Sequence, residues 1–367
     1  QYITRSLSNR ADELTEQAKE LSLRNIRISK LSNLSLQLYS HLLKQGYVKD
    51  IVDAEKVTKY FKKRLPKYVL SDLGFKEKLF LYKAYLWNSL IMQDFVSSYK
   101  YAQKWVNLFQ DNPAMKQQNP VFYLKGLNYL LESLFLLKQR TKFNKVLKDL
   151  ETDILEQNIK LNDNTLTLIF HYYNQNKLNL YFLEGKFTEG LHFVPILLKE
   201  ISEFESKIDA HHVMVFYYKI ACLFFGAGKN EECIFYLDKI IRNKDLKMRE
   251  DLLCFTRVLN LVAHYEAGLD YNIDKLIVST YKFLLKMNDL HDVQRKMIIF
   301  LKNLSNIYPQ DLRKEFIKLH KELMQYENHP HEKRAFLYLD ILSWLESKIQ
   351  NITVEEVIRS KAKKLLK

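Results

Sequence analysis

Glycine and proline are scarce in this 367-residue chain, eight and six, together about 4% where about 12% is usual. So few turn formers exclude an all-β sandwich or barrel, a collagen-like chain and any glycine-loop nucleotide fold. Cysteine numbers only three, Cys222, Cys233 and Cys254, each inside an apolar stretch and none in C-x-x-C spacing. They read as reduced core thiols of a cytoplasmic protein. No uninterrupted apolar run reaches the ~18 to 20 residues of a membrane span; the nearest, 213–228, contains Lys219. Gln1 is not an initiator methionine and no signal-type segment follows it, so we read the chain as a fragment or a processed product.

Catalytic and metal signatures are missing as well. Gly226-Ala227-Gly228-Lys229 imitates a phosphate loop but has Leu223 where that loop needs glycine and Asn230 where it needs Ser or Thr. It reads as an interhelix turn. His211-His212 and His329-Pro330-His331-Glu332 lack the i, i+4 spacing that puts two ligands on one helix face. No histidine stands in a nucleophile or carboxylate context. The expectation is a non-enzyme without metal or cofactor.

What is present is apolar and basic. Apolar residues make up 47% and aromatics 13%, enough for a large core, and the formal charge is +14. The last nine residues, from Arg359, hold five of those positive charges. Richness in Lys, Asn, Ile and Tyr fits an A/T-rich bacterial genome. Apolar residues recur at helical spacing throughout, with no period-two alternation long enough for a strand, so the chain reads as all-α. The first helix should run from Tyr2 to about Gly46. In it Leu7, Leu14, Leu21 and Ile28 fall seven apart, with Ala11, Ala18 and Asn25 in the alternate seam positions. We expect this helix to pack along its own domain; the alternatives are a homodimer seam over residues 7–28 and the end of an upstream coiled coil. Further helices are expected near 52–64, 75–91, 94–110, 120–138, 140–158, 163–184, 187–206, 209–226, 230–243, 248–267, 271–288, 291–307, 310–326, 331–349 and 353–366. Pro195 should kink or break the helix that contains it.

Second-helix starts at Phe95, Phe143, Phe187, Asn230 and Tyr271 are spaced by 48, 44, 43 and 41 residues. A period in the forties marks stacked helical hairpins. The segment YKIACLFFGAGKNEECIFYLDKII, with Ala221, Phe224, Gly228 and Cys233, resembles the tetratricopeptide repeat. So do Tyr181, Gly185, Phe187 and Gly190 in the preceding hairpin and, more loosely, Tyr265, Gly268 and Tyr271. The resemblance spans roughly 75–287 and departs from the family in its longer period, its missing closing prolines and a bulky Leu178. It implies a right-handed α-α superhelix over 51–290, preceded by the long helix of 1–50 and closed by a C-terminal cap and basic tail at 291–367. It further implies a concave groove lined by Trp87, Tyr172, Gln175, Asn179, Phe182, Tyr218 and Phe225.

Such a groove suits a peptide or helix of a protein partner, so the leading expectation is a non-catalytic interaction scaffold. The alternative is a nucleic-acid-associated or regulatory protein. It would use the basic stretch Lys56, Lys59, Lys62, Lys63, Arg64 and Lys67, with Tyr60, Phe61 and Tyr68 interleaved. Lys138, Arg140, Lys142, Lys145 and Lys148 form a second basic set, and the tail a third.

Overall fold

The structure, a computed structural model, describes residues 2–243, 250–269, 273–287, 291–330, 332, 336 and 340–364. It is 82% helical, with no strand among the described residues. Most helix starts are written in the local chemistry. The Asp94 carboxylate accepts from the Ser97 N–H at 3.0 Å and Asp209 from the His212 N–H at 2.9 Å, while Asn162 and Thr165 form a reciprocal capping box. Pro120 and Pro309 open helices at the first position, where the missing N–H costs nothing. Gly46, Gly185, Gly228 and Gly268 end helices with φ between +61° and +75°, the left-handed region that terminates a helix with least strain in glycine.

The chain divides into two compact units. The first holds residues 1–137 and 158–160. Its helices are α1 (Tyr2–Gln45), α2 (Ile51–Arg64), α3 (Phe75–Ile91), α4 (Phe95–Gln110), the short α5 (Ala114–Gln118) and α6 (Pro120–Leu136). The body half of α1 packs on α3, α3 on α4, and α4 on α6. Leu34 and Leu38 are buried, as are Leu86, Ile91, Phe109 and Leu130, while Leu31 packs in a small cluster with Leu73 and Leu81. Trp105 is fully buried, gives its indole N–H to the Phe122 carbonyl at 3.1 Å, and lies so close to Gly126 that a Cβ there would sit 2.8 Å from the ring. The lack of a side chain at Gly126 therefore lets α6 approach α4.

Glu77, 1% exposed, is the most buried carboxylate among the described residues. It accepts the Gly74 N–H at 2.7 Å, capping α3, and pairs with Arg27 and, at 3.4 Å, Arg24 of α1. Burial alone would raise its pKa. The Arg27 hydrogen bond, the Gly74 N–H and the two guanidinium charges outweigh that and hold it below the ordinary 4.5. From residue 26 back to residue 7, α1 extends with every side chain exposed. The packing of this helix along its own domain is thus confined to its C-terminal half.

The second unit holds 138–157 and 161–367. Its helices are α7 (Arg140–Leu155), α8 (Asp163–Glu184), α9 (Phe187–Gly190), α10 (Val194–Phe204), α11 (Ala210–Gly226), α12 (Asn230–Ile241), α13 (Glu250–Glu266), α14 (Ile273–Lys286), α15 (Asp292–Asn303), α16 (Pro309–Met324), α17 (Ile341–Gln350) and α18 (Val354–Lys364). Successive helices pack on one another around a continuous core running from Phe170 to Leu345. A 3-10 turn over 191–193 separates α9 from α10, so Pro195 stands in the first turn of a new helix and interrupts the one expected over 187–206. A Cβ at Gly190 would lie 2.8 Å from Leu223 and one at Gly226 would run into the Phe187 ring, so the lack of a side chain at both lets these hairpins close tightly. The helix expected at 331–349 starts at Ile341 behind the Asp340 cap. The anchor Tyr271 lies outside the described residues.

Two features depart from a simple row of hairpins. The division at Leu137 and Lys138 falls inside the stretch 51–290 that the sequence reads as one run of repeats. Within the second unit, the last helix returns to α8. Glu355 accepts from the Thr188 N–H and hydroxyl at 3.0 and 2.6 Å, Arg359 reaches the Gly185 carbonyl, and a Cβ on Gly185 would lie 2.6 Å from the Arg359 backbone. One helix earlier, Trp344 and Lys348 both grip Glu266 at the end of α13, at 2.7 and 2.8 Å. The helices read as a C-terminal cap therefore include two that fold back on earlier ones.

Glu77→Ala leaves Arg27 half-buried without its carboxylate and should destabilise the first unit by about 2–3 kcal/mol in denaturant unfolding. Because the folded pKa lies below the unfolded one, the clamp's contribution is complete above pH 4.5 and lost as pH falls through the lowered value. Acid titrations of the variant should lack that component.

Candidate functional site

The helix pairs of the first unit bring two matching faces together. On α3 and α6 the same pattern occurs 42 residues apart: Phe80-x-x-Lys83-x-x-x-Trp87 and Phe122-x-x-Lys125-x-x-x-Tyr129. Spacings of three and four put each set on one helix face. The two faces meet in register. Phe80 meets Phe122 edge-on at 5.8 Å between ring centroids, and Trp87 meets Tyr129 at 5.4 Å. Between these rungs the Lys83 ammonium stands 5.9 Å and 6.0 Å from the Phe80 and Phe122 rings. Phe80, Lys83, Phe122 and Lys125 are half-buried, so each shows part of its surface to solvent.

This face is cationic without compensation. Among the described residues neither Lys83 nor Lys125 has a carboxylate within ion-pair distance. Burial first, and the Lys125 charge second, push the Lys83 pKa below its ordinary value. Two half-buried ammonium groups close enough for one to lower the other's pKa are stabilised by an anion placed near both. Trp87, one turn further along α3, is buried between Tyr39 and Tyr129 with its indole N–H unpartnered among the described residues.

In the second unit the equivalent face lies on α8 and α11. Phe216-x-x-Lys219 repeats the aromatic and lysine spacing, but here the ammonium donates to Asn179 Oδ1 at 2.6 Å and lies over Phe182 at 5.7 Å. Asn179 also donates to Asn176 at 3.2 Å. Of the groove residues expected from the resemblance, Tyr172, Gln175 and Phe182 are half-buried on this face. Asn179, Tyr218 and Phe225 are 4%, 4% and 5% exposed and serve as core, leaving almost no surface for a ligand; Trp87 belongs to the first unit. Sequence spacing identifies a helix face but not the depth to which a neighbour buries it.

Lys56, Lys59, Lys62, Lys63, Arg64 and Lys67 are all exposed. Lys56 lies 3.7 Å from Asp53, and the Arg64 guanidinium stacks 3.9 Å from the Tyr60 ring. Of the aromatics interleaved with them, Phe61 turns inward onto Tyr85 at 5.3 Å, while Tyr60, covered by Arg64, and Tyr68 are half-buried. In the second basic set Lys138 lies 3.9 Å from Glu327 and Arg140 3.7 Å from Glu184. The tail is also engaged: Arg359 pairs with Glu355 and Lys361 with Glu346 at 2.8 Å.

At the start of α11 three imidazoles gather. His171 stacks edge-on against His212 at 4.2 Å, His211 lies 5.6 Å from His212, and Asp209 accepts at 2.6 Å from His212 Nδ1. Burial, then the His212 charge, lowers the His171 pKa to about 3, so it is neutral at physiological pH. No group of three or more His, Cys, Asp or Glu side chains among the described residues is placed to hold a metal. His331 lies outside them, and Glu332 is occupied by His291 at 3.7 Å. Cys222, Cys233 and Cys254 are free thiols, with Cys222 pushed up to about 12 and Cys233 well above its ordinary value by burial. No helix among the described residues is long and apolar enough to cross a membrane.

Comparison of the chain with protein-family models, curated proteins and solved structures finds no match. The α3–α6 ladder was overlooked by sequence reading although its signal was present, as LFLYKAYLW and VFYLKGLNY align residue for residue with a small Ala84 or Gly126 after each lysine.

His171 titrates in the unfolded chain near 6.5 but in the folded one only near 3, so its contribution is complete above pH 6.5 and erodes below it. The loss should approach about 1.4 kcal/mol per pH unit between those values. Denaturant titrations from pH 7 to 5 should show His171→Phe flattening this slope while leaving neutral-pH stability within about 1 kcal/mol.

Proposed function

We propose that this protein is a non-catalytic interaction scaffold whose α3–α6 face receives a peptide or helix carrying an acidic side chain between apolar ones. The observation that carries the reading is the in-register ladder with the uncompensated Lys83 between aromatic rungs and the Lys125 charge near enough to act on it. A carboxylate from the partner would sit between Lys83 and Lys125, and apolar groups beside it would rest on Phe80 and Phe122. The 42-residue register of α3 and α6, with a small residue at the same place in each, also supports the reading of the chain as stacked tetratricopeptide-like hairpins. Free buried thiols fit a reducing compartment such as the cytoplasm.

Panning a displayed random-peptide library on the full chain tests this. Enriched peptides should carry Asp or Glu flanked by Phe, Leu or Trp. The Lys83→Ala/Lys125→Ala variant should bind them about tenfold more weakly, or worse, with unchanged circular dichroism. Enriched sequences without acids, or affinity indifferent to the double variant, would overturn the assignment.

A second reading is favoured by the exposed cations of α2 and the residues just after it, where Lys59, Lys62, Lys63 and Lys67 have no carboxylate within ion-pair distance among the described residues. Nucleic acid bound there should show a steep fall of affinity with salt, and Lys59→Glu/Lys62→Glu should lower the slope by about two. Oligonucleotide binding that is absent or insensitive to salt removes this reading.

A further inference from the structure

We propose that the protruding half of α1 pairs with the same segment of a second copy in a parallel two-stranded coiled coil. Leu7, Leu14 and Leu21 are 62%, 56% and 57% exposed, and Ala11, Ala18 and Asn25 between them are exposed too. The residues that seat α1 on its own unit, Leu31, Leu34 and Leu38, do not continue this seven-residue series. The stripe is therefore left open by the chain's own packing. An isolated helix of this length is marginal in water and gains most of its stability by burying such a stripe.

The residues around the stripe specify the occupant. With Leu7, Leu14, Leu21 and Ile28 at d positions, Ala11, Ala18 and Asn25 fall at a. Leucine at d favours two parallel strands, and one asparagine at a, facing its counterpart at the same level, fixes register and dimeric state. The flanking positions agree. All four e residues, Ser8, Thr15, Ser22 and Ser29, are uncharged, whereas g holds Arg10, Gln17 and Arg24. In a parallel pair each g residue faces an e residue of the other chain, so Arg10 meets the partner's Thr15 and Arg24 the partner's Ser29. An antiparallel pair sets g against g and would bring Arg10 against the partner's Arg24, a position already held by Glu77 of that chain's own unit. Asp12, Glu13, Glu16, Lys19 and Glu20 lie on the outer positions, with Glu16 and Lys19 paired at 3.3 Å, and leave the seam apolar. The Glu77 clamp on Arg24 and Arg27 fixes where the helix leaves the body, which lowers the entropy lost on pairing.

Sedimentation equilibrium of the full chain over a range of concentrations tests the pairing. A mass rising to about twice 43.9 kDa is expected. Leu14→Glu/Leu21→Glu should shift the dimer midpoint about a hundredfold or more towards monomer. The unfolding of its two units and its acidic-peptide binding should be unchanged, because both leucines are exposed on the protruding half of α1. Leu7→Cys should then cross-link two chains rapidly under mild oxidant, since parallel strands bring the two thiols together. A monomer at every concentration, a dimer indifferent to the Glu substitutions, a higher oligomer, or a dimer in which Leu7→Cys does not cross-link would each overturn the proposal.

Discussion

A single helix of ten to twenty residues has too few internal bonds to hold its shape in water, so each one here must bury an apolar stripe on a neighbour. That requirement organises both units. In the first, α1, α3, α4 and α6 each cover the face that the preceding helix leaves open. In the second, the succession would end in an open apolar face, and α17 and α18 meet the same need by folding back. Their polar contacts, Glu355 on Thr188 and Trp344 and Lys348 on Glu266, determine where they land. The free half of α1 is the conspicuous place where the requirement is unmet within the chain, which makes it the natural contact for another copy.

Charge is distributed on the same frame with different consequences at each site. Glu77, Glu266 and Glu355 are carboxylates with cationic, hydroxyl or N–H partners that fix one element against another. Lys219 is satisfied by Asn179, so the α8–α11 face is internally balanced. Among the described residues Lys83 and Lys125 have no such partner, and Lys83 lies partly desolvated beside aromatic rings. The same lysine motif is thus structural in one unit and available in the other. The difference arises from whether the facing helix supplies an amide or a second cation.

Much of the fold was legible because helix ends are local events. Caps at Asp94, Asn162 and Asp209 and left-handed glycines at 46, 185 and 228 put most boundaries within two or three residues of expectation. The break at Pro195 follows from the missing N–H and fixed φ of proline. The residues before Ile341 were less legible, since their apolar pattern resembles that of a helix. The site was legible only in part. Spacing identified the faces of α8 and α11, yet Tyr218 and Phe225 proved to be core, and the more open ladder of α3 and α6 went unread although its residues align.

The sequence by itself determined the all-helical class, the lengths of the helices and the heptad stripe of α1, because propensity, capping and periodicity act over fewer than ten residues. Only the tertiary structure decided where the chain divides, that α18 returns to α8, and which aromatics and lysines keep a face to solvent. Those outcomes depend on what covers each helix face, and the covering helix stands tens to well over a hundred residues away.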